Sequence, residues 1–256
     1  MPQVKLVYLA RRSLDLAADE FPARWRRHGE LAMSLRNWDS TIAGYTQCDN
    51  IGDPWDGVAP GTGETWSDHE GVGSIWFHDE GAVDEFVSHP DFPQLLMDEW
   101  AAFDDQVANT SVLVTEEVLK ERPGSAVRLF HFLSAAPGVS AAEFEERWRL
   151  HAIDTMRSAD LTRPILSYVH NHPIAAAAAD EALGDTVAMG LRVSGIAELG
   201  FASKVDLRSY LSHSRRAAVR PALAEFADPA KTVTIATGEV TMCNRVRPEG
   251  RAPAPS

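Results

Sequence analysis

Apolar and polar positions along this chain alternate between two periods. Val4–Ala10 is a run of β-branched, aliphatic and aromatic residues, the pattern of a strand. From about Ala18 to Leu35 the spacing becomes helical: Phe21, Trp25 and His28 fall on one face, and an acidic start (Asp19, Glu20) before Arg24, Arg26 and Arg27 suits the helix dipole. Ile42–Gln47 and Ser74–Phe77 read as strands. Val83–Ser88 begins a second helix that Pro90 and Pro93 interrupt, and Ser111–Leu119 is a fourth strand. The second half predicts the same order. It has strands at Val127–Leu133, Ile165–His170, Ile196–Phe201 and Thr232–Met242, and helices at Ala141–Arg157 and from Val205–Ser212 toward Phe226.

The order recurs because the chain is duplicated. Phe21-x-x-x-Trp25-x-x-His28 returns as Phe144-x-x-x-Trp148-x-x-His151, an offset of 123 from Phe21 to Phe144. Ile42 and Tyr45 meet Ile165 and Tyr168 at that offset, and Phe77 meets Phe201 at 124. Each β-α-β-β-α-β half matches the ferredoxin-like split βαβ unit. The fold expected is therefore α+β: two tandem ferredoxin-like repeats, residues 1–122 and 123–247, forming an intramolecular dimeric α/β barrel. A disordered tail is expected over 248–256. A sheet with helices on one face must cover the other, so the two bare faces are expected to pack together around a shared, apolar, ligand-sized cavity.

Composition narrows the partners. A hydrophobic share of 45% supports a real core, while a net charge of −13 with no basic stripe argues against a nucleic-acid partner. No apolar run approaches the roughly 20 residues of a membrane helix. Two cysteines, Cys48 and Cys243, make neither a disulfide framework nor a metal motif, and no signal peptide is visible, so a cytoplasmic setting is expected. Many alanines and arginines with few lysines fit a bacterial source.

At Phe21-Pro-Ala-Arg-Trp-Arg-Arg-His28 and its copy Phe144-Glu-Glu-Arg-Trp-Arg-Leu-His151, the chain resembles the EthD family of dimeric α/β barrel proteins. Gly71-Val-Gly-Ser-Ile-Trp-Phe77 resembles that family's third strand, and Glu116-Glu-Val-Leu119 its last. The resemblance implies the barrel fold and marks His28 as the characteristic histidine. It also implies a superfamily of cofactor-free monooxygenases, cyclases, isomerases, dehydratases, decarboxylases and haem peroxidases, too varied to settle an activity.

Candidate chemistry follows from the residues. His28 and His151 titrate near working pH, as a general acid or base must, yet each equally suits a helix histidine bonded to a carbonyl. Trp25 and Trp148, identical in both copies, read as core. Positions that differ between copies are more informative: Tyr8 against His131, Gln47 against His170, and Trp76 and His78 against Gly200 and Ala202. If these rows and the Tyr45/Tyr168 pair face the cavity, one side is polar and aromatic and the other small; a one-residue register error turns every row toward the helices. His78 fits exposure equally well. Trp55 and Trp66, in the long segment from Cys48 to Val72, suit either a lid or a loop pinned by its own tryptophans. His170-x-His172 shares a strand face but lacks a third ligand at motif spacing, so no metal is expected.

The reading is a cofactor-independent lyase or cyclase acting on a small aromatic or polyketide-like substrate. His28, His131 or His151 serves as acid or base, and Tyr8, Tyr45 or Tyr168 holds a developing oxyanion. Trp76, Phe77, His78, Gln47, His170, Trp55 and Trp66 bind substrate. The alternatives are a cofactor-free monooxygenase and a non-catalytic ligand-binding auxiliary protein. Pairing into a homodimer stays open.

Overall fold

The computed structural model describes residues 2–52, 54, 66–174 and 192–246, apart from the side chains of residues 217–220. Trp55, the alanine run at 175–179 and the tail at 248–256 lie outside the described residues.

Eight strands are described: β1 (Val4–Ala10), β2 (Ile42–Asn50), β3 (Gly71–Phe77), β4 (Ser111–Glu121), β5 (Val127–Leu133), β6 (Ile165–Pro173), β7 (Gly195–Phe201) and β8 (Val233–Cys243). They form one closed barrel in the order β1-β3-β2-β8-β5-β7-β6-β4. Every pairing between these strands is antiparallel, including the seams β2/β8 and β4/β6 that join the halves. The halves are thus hydrogen-bonded edge to edge, where stacked bare faces were expected. Closure leaves no unpaired strand edge.

The helices lie outside the barrel: α1 (Phe21–Met33), α2 (Trp38–Thr41), α3 (Glu80–Val87), α4 (Phe92–Ala102), α5 (Ala141–Met156), α6 (Ala159–Thr162), α7 (Lys204–Leu211) and α8 (Ser214–Ala224). The proline pair divides the second helix of the first half in two, and Pro93 becomes a starting residue of α4. The Asp79 side chain caps α3, while Ser140 and Ser203 cap α5 and α7. None of the described helices is long and apolar enough to cross a membrane.

Both faces of most strands are buried, while the far ends of β4 and β8 are half-buried to exposed. Outward, Phe21 and Trp25 of α1 pack on Tyr8 and Ala10, and Phe144 and Trp148 of α5 pack on Leu129, Tyr168 and Leu199. Each tryptophan lies over a glycine. A Cβ on Gly71 would stand 2.6 Å from the Trp25 ring, and one on Gly195 2.5 Å from the Trp148 ring, so only glycine admits this approach. Inward, the barrel has two storeys. Val7, Leu9, Cys48, Val72, Phe130, Phe132, Ile196 and Ile235 fill one end with apolar side chains. The other end, where β1 and β5 begin, is charged.

Candidate functional site

Lys5 identifies the inward face. It is 1% exposed, and its Nζ reaches Glu198 of β7 at 2.5 Å and Asn171 of β6 at 3.2 Å. Neither strand neighbours β1, so the side chain crosses the barrel interior. Arg128 at the matching position of β5 also pairs with Glu198, and with Glu239 of β8. Lys5 further meets Glu116 at 3.3 Å, whose other oxygen lies 2.5 Å from Arg245. Burial alone would raise the Glu198 carboxyl, but Lys5 and Arg128 override it and hold the group at about 2. Three cations and three carboxylates therefore neutralise one another inside the barrel, which meets the condition for burying charge.

A cavity of about 320 Å³ opens beside this network, beneath the linker Arg122–Ser125. Trp76 forms one wall, with Lys5 and Arg245 placed 4.8 and 5.1 Å from its ring centroid. Opposite, Ser125 and Ser167 converge because Gly200 has no side chain; a Cβ there would lie 2.4 and 2.2 Å from their hydroxyls. Trp76 Nε1, Ser125 Oγ and Ser167 Oγ are buried with no hydrogen-bond partner. Buried polar atoms are normally satisfied, and these three belong to residues that line one cavity.

The expected inward rows are therefore corrected in all but one case. Trp76 and Gly200 face the interior, giving the lopsidedness anticipated for that pair. Tyr8, Tyr45 and Gln47 instead point outward under α1: Trp25 Nε1 donates to the Tyr8 hydroxyl (3.1 Å), the two tyrosine hydroxyls are 3.0 Å apart, and Gln47 Nε2 donates to Tyr45 (2.6 Å). Burial raises the pKa of both hydroxyls. Phe77 packs against the helices with Phe86. His131 also faces outward, 3.0 Å from the Thr234 hydroxyl. Tyr168 and His170 pair with each other (3.0 Å) under α5, where the Trp148 ring stacks on His170 at 3.7 Å. Burial, with His172 and His151 adding to it, lowers His170 to about 2, so its ring is neutral. His78 is exposed, and Trp66, half-buried, bridges to Thr234 and packs on the second half's core. No histidine or tyrosine among the described residues lines the cavity.

His28 has a different setting. Its Nδ1 is 2.8 Å from Asp98 of α4, which also takes a fork from Arg24, and its ring stands edge-on to Phe103. Burial lowers the His28 pKa, opposed by Asp98. Beside them, burial pushes Glu99 up to about 7. His151 keeps the edge-on aromatic contact, here with Phe226.

Spacing motifs missed the cavity because its residues come from seven strands, the linker and the segment just after β8. The one available signal was the presence of Lys5, Arg128 and Glu198 within otherwise apolar strand runs.

A closed eight-stranded antiparallel barrel wrapped by helices, with a small cavity at one end, is the architecture of the dimeric α/β barrel proteins. Residues 14–106 match the family model of the EthD domain. No curated protein matches the chain. Among solved structures it is similar to an anthrone oxidase-like protein (9% identity, TM-score 0.60, 96% of each chain covered). It is also similar to a protein described as a monooxygenase from Fusobacterium nucleatum (8%, TM-score 0.56, 96% of this chain and 98% of that one). A chlorite dismutase variant from Candidatus Nitrospira defluvii aligns at 10% identity and TM-score 0.50, over 92% and 91%. At such identities the likeness is one of fold.

Proposed function

We propose that the chain is a small-molecule enzyme of lyase or cyclase type, working without a cofactor in the barrel-end cavity. Its substrate is a compact aromatic or polyketide-like compound bearing an acidic or carbonyl oxygen. The observation that supports this is the convergence of Trp76 Nε1, Ser125 Oγ and Ser167 Oγ on one cavity, all buried and without partners. An indole N–H can only donate, so its partner is an acceptor oxygen, and two hydroxyls beside it complete a donor set for a developing enolate or phenolate. Glu116 is the base in this reading. It takes a proton from the carbon next to the substrate carbonyl and the electron pair moves to the carbonyl oxygen; the enolate then either expels a β leaving group with its bonding pair, or attacks a second carbonyl of the substrate, whose π pair moves to oxygen and takes the proton back from Glu116. Lys5 and Arg245 hold Glu116 in place from either side. His28, His131, His151, Tyr8, Tyr45 and Tyr168 then serve the helix–sheet layers and do not touch substrate.

The same reading takes residues 1–122 and 123–247 as tandem ferredoxin-like repeats. Each supplies four adjacent strands in the order fourth, first, third, second: β4-β1-β3-β2 and β8-β5-β7-β6.

The test is anaerobic turnover of enolisable aromatic and β-keto compounds by purified protein with no cofactor added. E116Q should reduce kcat by about 100-fold, in the range typical of general-base loss, and W76F should raise KM. Unchanged rates in both variants would overturn the reading. A cofactor-free monooxygenase is supported by the names of two structural neighbours, and oxygen uptake coupled to product formation would establish it instead. Ligand binding weakened by W76F with no product at all would point to an auxiliary binding protein.

A further inference from the structure

Outside the barrel, on the seam where β4 meets β6, a second group of side chains converges. His170 and His172 are two apart on β6 and share its outward face, and Glu117 stands opposite His170 in the β4/β6 ladder. One ligand-capable atom from each of Glu117, His170 and His172 lies within 4.8 Å of the others. We propose that these three residues bind a single divalent transition-metal ion, of which zinc is the class best suited to two imidazoles and a carboxylate.

Each ring is already disposed for this. His172 Nδ1 is 2.8 Å from Glu145 of α5, and its Nε2 is 3.3 Å from Glu117. A carboxylate holding one imidazole nitrogen while the other faces a carboxylate ligand is the arrangement that orients a metal-binding histidine. His170 is 1% exposed, is fixed by the stacked Trp148 ring, and uses Nε2 toward Tyr168, leaving Nδ1 buried with no partner. A metal ion satisfies that nitrogen. Tetrahedral zinc with bonds near 2.1 Å spaces its ligand atoms by roughly 3.4 Å, so the group must close by about an ångström. Glu117, 46% exposed at its side chain, can move that far. The open side of the site faces solvent through Glu117 and Glu145, giving an ion a path in. The first half cannot form the same site: Gln47 and Asp49 occupy the corresponding positions and are both bound by Arg26.

The experiment strips the full chain of metal with a chelator and titrates it with Co²⁺ alone, following visible d–d absorption and calorimetric heat. One equivalent per chain, with tetrahedral-type bands lost on adding Zn²⁺, is expected. E117Q, at an exposed position that leaves the fold intact, and H172N should each weaken binding at least tenfold, with E145Q losing less. H78N, at an exposed histidine elsewhere, should bind as wild type. Absence of Co²⁺ uptake by the wild type, or wild-type affinity in both E117Q and H172N, would overturn the site.

Discussion

The two halves of this barrel carry the same hydrophobic framework and different charge. Phe21, Trp25 and Phe103 have counterparts in Phe144, Trp148 and Phe226, and each tryptophan presses on a glycine at the start of a strand. Asp98 and Glu99 on α4, however, correspond at the offset of 123 to Pro221 and Ala222 on α8. His28 therefore has a carboxylate partner on its facing helix, while Arg147, the counterpart of Arg24, turns to the Glu225 carbonyl and to Glu143 of its own helix. The second half places its imidazoles on β6 and draws carboxylates from β4 and α5. The halves share what packs and differ in what titrates.

The largest effect should come where the halves meet in charge. Glu198 binds Lys5 from the first half and Arg128 from the second, and at the offset of 124 the first half has Ser74 instead. E198A leaves two buried cations without their shared partner and should cost about 3–5 kcal/mol by denaturant unfolding. An unchanged midpoint would mean that the network is not a joint between halves.

Next is a pH effect confined to the first half. Glu99 has its folded pKa raised from 4.5 to about 7, so the folded state favours its protonated form. The resulting stability is complete below about pH 4.5 and is lost as pH rises through about 7. E99Q should remove that loss, making the variant more stable than wild type at pH 8 to 9 by up to about 3 kcal/mol. Thermal unfolding at pH 5 and pH 9 reads this directly. His28 acts in the opposite sense: its lowered pKa gives stability above about pH 6.5 that fades as the solution is acidified.

A smaller contrast lies in the paired glycines. G71A places a methyl 2.5 Å from the Cys48 backbone oxygen as well as against Trp25, whereas G195A meets only the Trp148 ring among its three nearest contacts. Backbone yields less than a side chain, so G71A should cost about 3 kcal/mol and G195A nearer 1. Equal losses would show the two layers to be interchangeable. The smallest contrast is between the matched arginines: R26A breaks contacts to Gln47 and Asp49 and should cost about 1 kcal/mol, while R149A loses only an exposed pair with Glu146 on its own helix and should leave the unfolding midpoint unmoved.

Much of this framework was legible in the chain itself. The offset from Phe21 to Phe144 aligned the helix motifs of the two halves, and the strand and helix order followed from periodicity. The facing of the strands was not legible, for a physical reason. Helices cover one side of each strand and the barrel interior the other, so alternation in polarity, the usual guide to register, is largely erased. Tyr8 and Tyr45 looked suited to a cavity but lie under α1, while the interior position on β1 is taken by Lys5, paired with Glu198, 193 residues away. Glu117 was invisible as a partner of His170 for the same reason, since a ladder between β4 and β6 leaves no mark on spacing. The Trp76/Gly200 row was the exception, with Trp76 lining the cavity and Gly200 leaving room for the Ser125 and Ser167 hydroxyls.

The central claim is that ligands enter the barrel-end cavity and not the layer beneath α1. Calorimetric titration of small aromatic acids into wild type, the S125A/S167A double variant and Y45F compares the two places directly. Binding lost in the serine double variant and retained in Y45F is the predicted result. Binding retained without the serines and lost in Y45F would move the site under the helix and contradict the account.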